Sequence, residues 1–248
     1  RGFARAIADR IRARLSPTAE AGLARAAAVN PAVYEAYLRG MYILFQPQRS
    51  EEGVQDALRY FEQAIEADPA NPLAYTGAAA AYVQLGHSPA PPPDVWPRAR
   101  ANAERALRLD STIAEVWSAI AQVKYYYEWD WEGAERAFRK ANELNPSLPG
   151  NHYHYAWYLL TTDRARDGLV EHEKARELDP LTPVFTVWMA GMYQGMGDHE
   201  RAIAVAKSAS AQFPDNPIPF YVMGKSGQAL DRQDEAIAAH EKMVSLNP

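Results

Sequence analysis

The 248-residue sequence predicts an all-α solenoid of about six helix–turn–helix units preceded by two N-terminal helices, and three observations predict it. Related segments recur along the chain: "AIEADP" ends at Pro69, "ALRLDS" at Ser111, "ANELNP" at Pro146, "ARELDP" at Pro180, "SAQFP" at Pro214 and "MVSLNP" at Pro248. The steps between these endpoints are 42, 35, 34, 34 and 34 residues. Small residues stand at fixed offsets, with Ala57, Ala99, Ala134, Gly168, Ala202 and Ala236 twelve before each endpoint, and Ala64, Ala106, Ala141, Ala175 and Ala209 five before the first five, with Met243 five before the last. Small residues let two helices approach closely, and a proline after the second helix stops it. A repeat with this period is one helical hairpin that buries its apolar face only against its neighbours.

Taken in order, residues 1–30 lie outside the repeat. Phe3, Ile7, Ile11 and Leu15 recur every four residues, which predicts one amphipathic helix; Ser16 and Pro17 then start a second around 18–28. This arginine-rich stretch is expected to cap or connect to the first repeat. The units are expected at about 31–69, 70–111, 112–146, 147–180, 181–214 and 215–248. The first is long, and Gly40 fits its small position only if Tyr37 does not fit the aromatic one. The second carries an insertion, "GHSPAPPPDVWPRAR", whose consecutive prolines predict an exposed, polyproline-like loop. The third contains "YYYEWDW" (Tyr125–Trp131), where counts from Trp117 and from Ala134 disagree by one residue. A single-residue insertion is expected there, with a helix end at Tyr125 and Tyr126, a turn at Trp129 and Asp130, and a helix start at Trp131 in the core. The final unit stops without a polar cap, which predicts either a continuing parent protein or self-association through that end.

This pattern resembles the tetratricopeptide repeat from Asn30 to Pro248. The family's aromatic in the first helix is matched by Tyr75 and Trp117 and less well by His152 and Phe220, its later aromatic by Tyr82 and Tyr193, and that of the second helix by Phe61 and Phe138. Trp129 stands where the family usually has Gly. The resemblance implies a right-handed superhelix whose concave groove, lined by the first helix of each unit, binds extended or helical partner segments. Carried over position by position, the groove residues are Thr76, Ala80 and Gln84, then Glu115, Ser118, Gln122, Tyr125 and Tyr126, then Tyr153, Trp157 and Thr161, then Val187 and Gln194, then Tyr221, Lys225 and Gln228. Their aromatic and amide character suits an apolar or amphipathic segment rather than a terminal carboxylate. "RAIADRIRARLSP", "AYLRGMYI", "ALRYFEQAIEADPANPLAYTGAAAAY" and "YYYEWDWEGAERAFRKANELNP" further resemble repeat modules of bacterial proteins that follow a cyclase, kinase or winged-helix domain. That implies a docking or sensing part of a larger signalling or transcription-regulating protein.

Other chemistry is poorly supported. The net charge of -5 with interspersed signs argues against nucleic acid, and the absence of cysteine removes thiolate chemistry and cysteine metal sites. No apolar run approaches the roughly eighteen residues that cross a bilayer. The expected location is cytoplasmic, or periplasmic where the parent carries a membrane anchor. "GKSG" at Gly224–Gly227 lacks the earlier glycine of a phosphate loop, Pro219 standing there, and falls inside a helix. His152 and His154 are two apart and point away from each other on a helix, so no shared metal is expected. No catalytic set and no cofactor is read. The expected function is a non-enzymatic protein-interaction scaffold, with small-molecule sensing or homo-oligomerisation as alternatives.

Overall fold

The structure is a computed structural model that describes residues 30–46, 50–88 and 91–246. Each hairpin opens with a leading helix and closes with a trailing one. The first pairs α1 (Pro31–Leu44) with α2 (Glu51–Ala67), and the second pairs α3 (Pro72–Gly86) with α4 (Val95–Leu109). The third pairs α5 (Ala114–Val123), extended by a π-helical turn over Lys124–Glu128, with α6 (Trp131–Leu144). The fourth pairs α7 (Pro149–Thr161) with α8 (Ala165–Leu178). In the fifth the leading helix is broken at Trp188 into α9 (Pro183–Val187) and α10 (Met189–Gly195), and the trailing helix is α11 (His199–Gln212). The sixth pairs α12 (Pro217–Ala229) with α13 (Gln233–Leu246). No strand occurs among the described residues. The expected helices over residues 3–28 lie outside them.

Local chemistry explains these boundaries. Asn30, Asn71 and Asn216 each precede a proline, and their side chains accept from the backbone N–H of Ala32, Leu73 and Ile218. The proline fixes φ at the first helical position, where a missing N–H costs nothing. At the trailing ends, Asp68, Asp110, Asn145 and Asp179 accept from the N–H two residues on, turning the chain into the next hairpin. In the second hairpin the loop is shorter than expected, because Val95, Trp96 and Pro97 already form the first turn of α4. A proline there is tolerated, since first-turn N–H groups have no partner within the helix. Pro91–Pro93 are exposed.

The small residues sit where the helices cross. Ala57, Ala99, Ala134, Ala202 and Ala236 are buried, as are Ala64, Ala106, Ala141, Ala175 and Ala209. Gly168 is closer still: a Cβ there would lie 2.8 Å from the Ala156 carbonyl oxygen. Phe61 and Phe138 fill the gaps between units and are wholly buried. Gly40 and Gly77 both face the Phe61 ring, so Gly40 takes the small position of the first unit while Tyr37 points inward. The aromatic of the first helix has a common task. Tyr75 Oη donates to the Pro69 carbonyl at 3.2 Å, Trp117 Nε1 to that of Ser111 at 2.7 Å, and His152 Nε2 lies 2.9 Å from that of Pro146. Each ring tip thus satisfies the carbonyl that closes the preceding unit.

The "YYYEWDW" run holds one extra residue, and the π-helical turn absorbs it. Trp129 ends that turn in the left-handed region with φ 57°, and the equivalent turns are made by Asp163 (φ 61°), Gly197 (φ 76°) and Asp231 (φ 59°). Lys124 Nζ bonds the Asp130 carboxylate at 2.7 Å, while Asp130 Oδ1 caps α6 through Gly133 N. These two contacts hold the Asp130 carboxyl below the usual carboxylate range, the Lys124 bond foremost. Trp131, expected in the core, is instead 37% exposed at the rim, because the first position of a helix faces its open end. Its ring meets Tyr125 and Trp129 edge-on and Tyr158 at a tilt.

Candidate functional site

Successive leading helices pack on one another and make the inner face of the solenoid. Over the first five hairpins that face curls until its ends meet. Phe45, at the end of α1, packs on Phe185 of α9 with ring centroids 5.8 Å apart, and its tip reaches Gly150 at the start of α7. The curl forms a partly open cavity of about 160 Å³ lined by side chains of α1, α3, α5, α7 and α9. Glycine at position 150 leaves room for Phe45, since a Cβ would lie 3.1 Å from the ring.

The lining is unusually polar for a helical core. Thr76, Ser118, Gln122, Asn151 and His154 line it and are buried, half of the ten buried polar side chains among the described residues. Some are engaged with the walls: Thr76 donates to the Pro72 carbonyl, Gln122 to that of Ser118, and Asn151 Nδ2 to that of Phe138. Asn151 Oδ1 is buried without a hydrogen-bond partner. Among the described residues two carboxyl groups contribute, Glu115 and Asp179, and no Lys or Arg does. Asp179 is satisfied by Leu181 N, Thr182 N and the Thr182 hydroxyl. Burial pushes the Tyr37 hydroxyl's pKa up, and the Glu115 charge adds to it.

The sequence-predicted groove residues divide by location. Gln122 and Tyr153 line the cavity, together with Thr76, Ala80, Gln84, Glu115 and Ser118. Tyr125 does not face the groove: it is core, its hydroxyl bonded to the Trp157 carbonyl and to Thr161 Oγ1, because the π turn rotates it toward α7. Tyr126 packs edge-on between His87 (4.5 Å) and His154 (6.3 Å), and burial pushes its hydroxyl's pKa well up. Val187 is fully buried, so it is packing. Trp157 is half-buried with Trp188 edge-on at 5.5 Å. Gln194 reaches across to the Val222 carbonyl and Ser226 Oγ, and Tyr221 and Lys225 are exposed one turn apart on α12. The repeat pattern gave no sign of Tyr37, Phe45 and Phe185 at this face.

The remaining sequence motifs are structural. Gly224 lies in α12 against His240, where a Cβ would lie 2.5 Å from the ring, which accounts for "GKSG" as packing. His152 Nδ1 lies 2.5 Å from the Glu171 carboxylate. Burial opposes ionisation of Glu171, but the His152 and Lys174 hydrogen bonds hold its carboxyl below the usual range. His172 is fully buried against Tyr153 with neither ring nitrogen hydrogen-bonded, and desolvation lowers its pKa to about 4. No helix among the described residues is long and apolar enough to cross a membrane.

No family model matches the chain. A 97-residue stretch is 28% identical to the Hsp70-Hsp90 organizing protein 2 of Arabidopsis thaliana, covering 39% of this chain but only 15% of that protein. Among solved structures, a thermophilic TPR protein of Thermus thermophilus, TTC0263, is 18% identical with a TM-score of 0.59 over 80% of this chain and 98% of that one. The type IV pilus biogenesis factor PilW is 21% identical with a TM-score of 0.59, covering 71% of this chain and 77% of that one. A human IFIT1 dimer with PPP-AAAA is 17% identical with a TM-score of 0.65, covering 81% and 47%. The chain thus has the all-helical solenoid fold of the tetratricopeptide-repeat proteins.

Proposed function

We propose that the chain is a non-enzymatic protein-interaction scaffold, the docking part of a larger bacterial signalling or transcription-regulating protein. The partner segment, apolar or amphipathic, lies on the inner face beyond this cavity. One observation carries this reading. The leading helices of the last three hairpins present Trp157 and Trp188 half-buried against each other, then Tyr221, 38% exposed, with Lys225 beside it. Rigid rings offer large contact area at low entropy cost, and a half-exposed pair is one that a partner can finish burying. The Hsp70-Hsp90 organizing protein relative, by name an assembler of other proteins, supports an interaction role.

A pull-down with this chain followed by calorimetry on the recovered partner tests it. The Trp157→Ala, Tyr221→Ala double variant should weaken binding by roughly tenfold or more. Undiminished affinity contradicts the assignment. A second reading, self-association, is favoured by Ile237 and Val244, which stand exposed on α13. Light scattering at increasing concentration separates it from partner docking.

A further inference from the structure

The partly open cavity lies apart from the proposed docking surface and calls for a different occupant. Its volume of about 160 Å³ is below the ~300–1,000 Å³ of drug-sized sites and matches a small molecule or a few waters. Its chemistry is one-sided. Among the described residues four aromatic rings line it, from Tyr37, Phe45, Tyr153 and Phe185, and no Lys or Arg. Of its two carboxyl groups Asp179 is consumed by its own turn, whereas the Glu115 carboxylate has no hydrogen bond or ion pair among the described residues. A half-buried carboxylate beside aromatic rings, with no basic partner among the described residues, favours positive charge: ring faces and the anion attract a cation together.

We propose that this cavity binds a small organic cation, an alkyl- or methylammonium compound whose charge lies against the Glu115 carboxylate and whose carbon surface lies among the rings of Tyr37, Phe45 and Tyr153. The buried polar groups of the wall then serve any hydroxyl or N–H the ligand carries. Because Phe45 and Phe185 come from the first and fifth hairpins, a bound ligand is held between both ends of the curl.

The test uses the whole chain and two cationic probes, choline and propylammonium, with dimethylbutanol as the neutral carbon isostere of choline. Calorimetry should show one cation per chain, with the isostere at least roughly tenfold weaker, and the cation should raise the melting temperature. Glu115→Gln should lower cation affinity by roughly tenfold or more while leaving isostere binding unchanged. Ala80→Leu, which fills the cavity from α3, should abolish binding with the fold retained by circular dichroism. The proposal is overturned if neither cation binds, if the isostere binds equally well, or if either variant that still folds binds the cation as the wild type does.

Discussion

The ring of Phe45, at the end of the first leading helix, packs 5.8 Å from that of Phe185 four hairpins further along. The contact joins the first and fifth hairpins directly, beside the approach of the Phe45 tip to Gly150 of the fourth. Phe45→Ala should therefore destabilise the chain by about 2–4 kcal/mol and also loosen its shape. Small-angle scattering should show a larger radius of gyration, and hydrogen exchange should rise at residues 76–84 and 115–122. A variant that loses stability with no change in either would make Phe45 ordinary packing.

Stability should fall in mild acid because of His172. Its ring titrates near 6.5 in the unfolded chain and at about 4 when buried. Protonation thus favours the unfolded chain: the contribution is full above about pH 6.5 and is lost progressively as pH falls toward 4. The slope is about 1.4 kcal/mol per pH unit, and the total about 3 kcal/mol. Glu171 acts in the same direction only below about 4.5, its ordinary value, so the upper part of the window reports His172. Urea melts between pH 7 and 4.5 should show the slope, and His172→Leu should remove it.

Two backbone positions should respond oppositely, one to gaining a glycine and the other to losing one. Trp129 holds φ 57° while 67% exposed, so Trp129→Gly should stabilise the chain by up to about 1 kcal/mol by relieving the left-handed conformation. Gly168→Ala should cost about 1–3 kcal/mol by pushing the Cβ into the Ala156 carbonyl. Denaturant unfolding of both variants measures the two effects.

Much of this was legible in the sequence because it repeats. The spacing of Ala57, Ala99 and Ala134 marked the helix crossings, and the one-residue disagreement around "YYYEWDW" marked what is now seen as a π-helical turn. Tyr125 was misplaced for the same reason: an inserted residue rotates every side chain near it, so family positions no longer name the face. The cavity was not legible. Thr76, Ser118 and Gln122 could be assigned to the inner face, but how far that face curls is the sum of small rotations between units. No local pattern records where Phe45 ends up.

The closure between the first and fifth hairpins is tested most directly by a thiol pair, since the chain has no cysteine of its own. Phe45→Cys with Phe185→Cys should be cross-linked within the folded monomer by a short thiol-to-thiol reagent in high yield, and either single variant should give none. A folded double variant whose thiols both react singly with the reagent, without joining, would contradict the closed curl and the cavity it forms.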